Sequence, residues 1–320
     1  MKILITGFTG FVSAHFLELL NRKEPGSYVL GIDNQAPDFE FSVYPNLNIS
    51  FQSIDLLHKD AVNAALNAFN PNYILHLASV SSVAKSWQTP LDSFVNNTNI
   101  FLNLVEQVRV NNISCRILSI GSSEEYGEVS DAELPLTEDS RLKPLSPYAV
   151  ARVSQEMLSK IYADGFGLDI IITRSFNHIG PGQKDNFVIS SFAKQLVQLA
   201  KNKATENKII TGNVSVIRDF LDVRDVVNAY YCLLKDGRKG EVYNICSGQG
   251  NMLSDIILRM SDMLDLSIRM ETDPDLIRPN ENKQIIGSYQ KINRELGWKP
   301  EISLDQSLAD IIKYWQNKPA

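Results

Sequence analysis

The chain has 320 residues, which at roughly 100 to 200 per domain gives two domains or one large domain with a lobe, and enough length for a sizeable core. Its 31 basic and 37 acidic residues beside 44% hydrophobic content are the balance of a folded globular protein and exclude disorder as the main theme. A net charge of −6 leaves no basic face for a nucleic-acid backbone, and no apolar run approaches the roughly 18 residues of a membrane helix.

In chain order, residues 2–6 are a short apolar run ending in a glycine turn, 12–20 have helical spacing, and 28–33 are a second apolar run. The alternation continues with a helix over 59–69, a strand over 73–78, a helix over 91–110, a strand over 116–121, a helix over 147–162 and a strand over 169–174. Strands alternating with helices of this length imply right-handed crossovers and a doubly wound parallel sheet, an α/β Rossmann architecture. After about residue 175 the rhythm breaks into shorter pieces, with amphipathic stretches at 185–199, 222–234, 253–264 and 304–315. We therefore expect a dinucleotide-binding domain over 1–175, with 212–235 packing back on it, and a smaller α/β lobe over 176–320 that binds substrate. Residues 131–147, with three prolines and several charges, are expected to form a mobile flap.

The first residues hold one Lys and three apolar residues before Thr6 and Gly7, too short a run for a signal-peptide core, so we expect a cytoplasmic protein. Cys115, Cys232 and Cys246 are odd in number and widely spaced, which reads as reduced core cysteines. The four histidines are scattered, and no metal cluster is expected.

The turn between the first strand and helix reads T-G-F-T-G-F-V-S, residues 6–13. Gly7 and Gly10 let the backbone approach a pyrophosphate at a helix N-terminus, and Ser13 stands where a third glycine is usual. Asp33 ends the second strand, where a carboxylate accepts hydrogen bonds from the ribose hydroxyls and repels a 2′-phosphate. This favours NAD(H), with NADP(H) the other possibility. Asp55 is placed to meet the adenine edge, and Ala78 and Ser79 to lie near the phosphates.

Ser122 follows a buried strand, and Tyr148 opens a helix with Arg152 one turn on, so both side chains share a face. A cation there favours the phenolate form of Tyr148 as a proton shuttle, while Ser122 can hydrogen-bond the reacting oxygen.

On these residues the sequence resembles the extended short-chain dehydrogenases/reductases that act on nucleotide sugars, over essentially the whole chain. The strings R-I-L-S-I-G-S-S-E-E-Y-G (116–127), R-S-F-N-H-I-G-P-G-Q (174–183), V-I-R-D-F-L-D-V-R-D (216–225) and I-I-G-S (285–288) most resemble the GDP-4-keto-6-deoxy-mannose reductases. The GDP-mannose 4,6-dehydratases are close behind. The resemblance implies that Phe11, Val12, Asn34, Leu56 and Leu77 line the dinucleotide, and that Ser123, Asn177, Arg218 and Arg278 bind the sugar nucleotide, a GDP-sugar. It also implies a homodimer formed through the helices at 91–110 and 147–162. His178 is read as structural, and Pro181 and Gly182 as shaping their loop.

Two departures stand out. Where the family has Tyr-x-x-x-Lys, this chain has Arg152, which keeps the charge but is longer and planar. Where it has Asn-x-x-Gly after Asn97, Ile100 replaces the glycine, which implies a repacked helix. Glu124 sits where a 4,6-dehydratase keeps its C5 base, but the reductases carry the same Glu; because the closest strings run with the reductases, the reaction implied is reduction of a C4 ketone, with dehydration or C4 epimerisation on bound NAD as the other enzyme readings. Arg152 also leaves open a dinucleotide-binding homologue without turnover.

Overall fold

The computed structural model describes residues 1–202, 207–277 and 280–318. Its regular elements begin with β1 (Lys2–Thr6), α1 (Phe11–Lys23), β2 (Tyr28–Asp33), β3 (Asn48–Ser53), α2 (Lys59–Phe69), β4 (Tyr73–His76), α3 (Val83–Gln88) and α4 (Pro90–Phe94). They continue with α5 (Ile100–Val110), β5 (Arg116–Ser122), α6 (Pro147–Asp164), β6 (Asp169–Ser175), β7 (Asn177–Ile179), α7 (Val188–Asn202), β8 (Lys208–Thr211) and β9 (Ile217–Asp222). The chain closes with α8 (Val223–Asp236), β10 (Val242–Ile245), β11 (Gly250–Met252), α9 (Leu253–Asp262), β12 (Arg269–Thr272), β13 (Gln284–Ile285), α10 (Gln290–Leu296) and α11 (Leu304–Asn317).

Seven strands form one parallel sheet in the order β10-β6-β5-β4-β1-β2-β3. The chain winds outward from β1 to β3, returns to β4 on the other side of β1, and winds on to β10. The switch point therefore lies between β1 and β4, the place where doubly wound sheets bind ligands at their carboxyl edge. The inner strands read as unbroken apolar runs because both faces are covered. Ile3 and Ile5 pack with Phe16 and Leu20 of α1 and Tyr230 and Leu233 of α8, while Leu4 and Ile74 pack with Leu66 of α2 and Phe101 and Leu104 of α5.

Two elements differ from the sequence reading. β3 carries no apolar run; it is an edge strand with only Ile49 and Phe51 packed on the core, so its alternation is diluted by polar residues. The helix expected over 91–110 is interrupted by a π-type turn at Val95–Asn99 between α4 and α5. Ile100, the first residue of α5, is buried in the core.

In the smaller lobe β9 pairs with β7, β11 and β13, and β8 pairs with β12. Phe192 and Leu196 of α7, Ile256 and Met260 of α9 and Leu308 and Trp315 of α11 close its core. Residues beyond 175 serve both layers, because α8 lies against α1 and β10 is the seventh strand of the main sheet. Residues 131–147, expected as a flap, are tied down. Leu136 is buried and exchanges backbone bonds with Ile286 and Ser288, and Tyr126 Oη donates to Thr137 O at 3.0 Å. The three cysteines are free, with Cys115 and Cys246 buried. Among the described residues no helix is long and apolar enough to cross a membrane, and no cluster of metal-binding side chains occurs.

Candidate active site

At the switch point a cleft of about 540 Å³ opens, bounded by the turns after β1, β2, β4, β5 and β6. Gly7 has φ +69°, and a Cβ there would sit 2.7 Å from Ala78 N, so only glycine lets this turn pass beneath the β4 end. Gly10 caps α1 without any side-chain bond, which leaves the first-turn N–H groups of Phe11, Val12 and Ser13 at the cleft wall. Ser13 is fully buried, and its Oγ has no partner among the described residues. A glycine cradle at an uncapped helix N-terminus suits a pyrophosphate.

Asp33 is held rather than loose. Its Oδ2 accepts from Thr9 N at 3.0 Å and Thr9 Oγ1 at 2.8 Å, and its Oδ1 accepts from Asn34 N at 2.8 Å. Asp55 Oδ1 accepts from Leu57 N at 2.9 Å, and Asn103 Nδ2 fixes Leu56 O at 3.0 Å. Leu77, Ala78 and Ser79 continue β4 along the cleft. Ala78 N donates to Thr6 Oγ1 at 3.2 Å, and the Thr6 hydroxyl is hydrogen-bonded to His76 Nδ1 at 2.9 Å. Burial and then the Arg152 charge push the His76 pKa down to about 3, which keeps this ring neutral. Asn97, fully buried, accepts from Val80 N at 3.1 Å and donates to Ser93 O at 2.6 Å, so the π-type turn clamps the next stretch of wall.

At the other end Ser122, Ser123, Glu124, Tyr148, Arg152 and Asn177 line the same cleft. Ser146 caps α6 by accepting from Ala149 N at 3.1 Å, and Pro147 takes the first helical position, which sets Tyr148 at the mouth of the helix. Arg152 is 4% exposed; its Nε donates to Tyr148 Oη at 3.2 Å and its Nη1 to Ile120 O at 3.0 Å and Gln155 Oε1 at 2.6 Å. Gln155 Nε2 donates in turn to Ser119 Oγ at 2.9 Å and Ile120 O at 3.1 Å. The planar fork in place of a lysine is thus anchored through Nε and Nη1 on the cleft wall. Ser122 Oγ accepts from Glu124 N at 3.2 Å and caps a single 3-10 turn, Ser123–Tyr126.

Every residue assigned to the cofactor from sequence lies on this cleft wall. Arg218 does not; it lines an adjoining recess with Trp87, Ser146 and Glu281, and Glu124 borders both spaces. Arg218 Nη2 lies 3.7 Å from Glu281 Oε1, while Asp219 accepts from Ser247, Gly248 and Gly287. Arg278 lies outside the described residues. His178 Nδ1 pairs with Phe176 O at 3.2 Å and its ring stacks on Phe11, while His15 Nε2 meets Pro181 O at 2.9 Å and pins that loop. Sequence reasoning missed Gln155, Glu125 and Glu156. Their signals were present, since Ser122-x-x-Glu125 is a capping-box pattern and Gln155 and Glu156 follow Arg152 by three and four residues on one helical face.

Fold and cleft together define an extended short-chain dehydrogenase/reductase whose cofactor is a nicotinamide dinucleotide. A family model described as GDP-mannose 4,6 dehydratase matches residues 4–311, and the chain belongs to that family. The chain is 32% identical to GDP-6-deoxy-D-mannose reductase of Pseudomonas aeruginosa, covering 99% of this chain and 98% of that one. Among solved structures it is similar to RMD from Pseudomonas aeruginosa complexed with NADPH, with 31% identity, a TM-score of 0.85, and 99% and 100% of the two chains covered. It is also similar to UDP-glucose 4-epimerase with UDP-glucose from Thermotoga maritima, with 26% identity, a TM-score of 0.87, and 99% of each chain covered.

Proposed function

We propose that the protein reduces the C4 ketone of a GDP-4-keto-6-deoxy sugar, a hexose or heptose, to an alcohol. The observation that carries this is the trio Ser122, Tyr148 and Arg152 on one cleft wall, with Arg152 Nε 3.2 Å from Tyr148 Oη. The end-to-end likeness to a GDP-6-deoxy-D-mannose reductase supports the sugar and the base. When bound, the dinucleotide supplies the hydride for C4. Tyr148 gives the proton to O4, Ser122 hydrogen-bonds that oxygen and orients the ketone, and Arg152 would hold the nicotinamide ribose. Asn177 and Arg218, with Arg278, hold the diphosphate, to which an Arg fork is matched, and Ser123 lines the sugar. Gly7, Gly10, Phe11 and Val12 take the pyrophosphate, Asp33 and Asn34 the adenosine ribose, Asp55 and Leu56 the adenine, and Leu77, Ala78 and Ser79 the stretch between.

NADH is the preferred reductant in this reading, because the Asp33 carboxylate meets the ribose and no Lys or Arg stands beside it on the described cleft wall. Residues 1–175 with α8 form the cofactor domain and most of 176–320 the substrate lobe. The protein works in the cytoplasm, in line with its unpaired cysteines, and as a homodimer, in line with the exposed apolar residues of α4 and α6.

Purified protein mixed with GDP-4-keto-6-deoxy-mannose and either NADH or NADPH tests the proposal, with product configuration read by NMR. Stoichiometric oxidation with NADH preferred is expected. Absence of oxidation, with water loss from GDP-mannose instead, overturns it in favour of dehydration. Glu124, bordering both spaces, is the observation behind that second reading. Glu124→Gln is expected to change kcat by less than roughly tenfold in a reductase and by roughly a hundredfold or more where Glu124 is the base.

A further inference from the structure

Directly beneath Ser122 lies a carboxyl pair, Glu125 and Glu156, that the proposed chemistry does not use. Glu125 is fully buried; its Oε1 accepts from Ser122 N at 2.6 Å, and its Oε2 has no hydrogen-bond partner among the described residues. The groups packed around it are Glu156 of α6, which also binds Lys160, Arg174 of β6, and Tyr126 of its own turn. Arg174 makes no hydrogen bond to it. Its Nε and Nη2 go to the two oxygens of Glu156, each at 2.8 Å, and its Nη1 goes to Glu138 O at 3.0 Å. Lys160 Nζ is likewise on Glu156, at 2.8 Å. The cations of this cluster therefore hydrogen-bond Glu156 and reach Glu125 only through the Arg174 charge. An ionised Glu125 would be a buried anion with one backbone donor, beside another anion, at a cost that the Ser122 N–H and the Arg174 charge offset only in part. Burial first, and then the Glu156 charge, move its pKa well above the ordinary carboxylate range.

The carboxyl also shapes the backbone. A Cβ on Gly121 would meet Glu125 Oε1 at 2.4 Å and Thr173 O at 2.4 Å, so the strand end is glycine where the acid folds back over it. Ser122 caps the turn through its side chain while Glu125 returns to the Ser122 backbone, a reciprocal box that leaves the serine one orientation.

We propose that Glu125 is a positioning residue held as a neutral carboxylic acid, which fixes Ser122 for the ketone through the Ser122 backbone N–H. This rests on the reductase reading for its consequence in turnover, and on the cluster alone for the protonation state. In infrared difference spectra at neutral pH, wild type minus E125Q is expected to show a protonated-carboxyl C=O band. Glutamine accepts from Ser122 N–H as the acid does, so E125Q is expected to keep kcat within about threefold and the slow hydrogen exchange of residues 120–126. E125A leaves that N–H unpaired and is expected to lose kcat roughly tenfold or more with KM little changed, and to speed that exchange. A carboxylate band in place of the protonated one, or E125Q as impaired as E125A, overturns the proposal. Should E125A not fold, the infrared comparison and the exchange of E125Q against wild type decide it. A wild type inactive on the sugar counts against the reductase reading, while the spectra and exchange still judge Glu125.

Discussion

The places of Tyr148 and Asp33 on the cleft wall were legible because each sits at a fixed offset from a strand or helix end. Replacing Tyr148 by Phe removes the proposed proton donor but keeps the ring, so kcat is expected to fall by roughly a hundredfold or more. Dinucleotide binding, followed by fluorescence titration, is expected to stay nearly intact; unchanged turnover would remove Tyr148 from the mechanism. Arg152 was legible as a departure, but its accommodation was not, since nothing in the spacing says that Gln155 turns its amide oxygen to Nη1 at 2.6 Å. A lysine ammonium at 152 cannot span Tyr148 Oη, Ile120 O and Gln155 Oε1 as the fork does. R152K is therefore expected to lower kcat roughly tenfold, and Q155L by a similar factor. The double variant is expected to lose little more than either single one, because both break one network. A gain of activity in R152K would mean that the arginine hinders the site.

α6 shows how one helix carries several instructions at once. Tyr148, Arg152, Gln155, Glu156 and Ser159 form a buried polar face, although a helix of this length is normally read by its apolar stripe. That is why the helix was foreseen at nearly its full extent while its inward contacts were not. β3 escaped for the opposite reason, being an edge strand with too few apolar residues to register. The π-type turn at Val95–Asn99 was invisible in the sequence, which reads as one continuous helix there. On the outer side of α6, Val150, Met157 and Ile161 are 44%, 39% and 56% exposed and lie at helical spacing, beside exposed Leu91 and Phe94 of α4. Exposed apolar residues grouped on adjoining helices mark an interface. Ile161→Glu is expected to convert a dimer to monomers in sedimentation velocity with the circular-dichroism spectrum unchanged. A wild type that sediments as a monomer would remove these helices from any dimer.

At the scale of the whole molecule, the doubly wound order was legible because alternation fixes crossovers and crossovers fix the switch point. The closing strand of the sheet was not, since β10 comes after a long excursion into the substrate lobe and only tertiary pairing with β6 brings it back. The buried cluster between β5, α6 and β6 joins these layers, and it makes stability depend on pH in two opposite ways. For Glu156 burial opposes ionisation, but the Arg174 fork and then Lys160 outweigh it and bring its pKa down to about 2. Its contribution is present above the unfolded value of about 4.3 and is lost as pH falls from there through about 2. Glu125 runs the other way, because its native pKa is raised. Between about 4.3 and that native value the folded protein holds one proton more than the unfolded chain, so stability falls as pH rises, by up to ~1.4 kcal/mol per pH unit. Glutamine at 125 titrates in neither state. Guanidinium unfolding of wild type and E125Q is therefore expected to give the smallest difference near pH 4, and a growing advantage for E125Q toward pH 8. A wild type that gains on E125Q across the same range would mean that Glu125 is ionised in the native protein and stabilised by a partner.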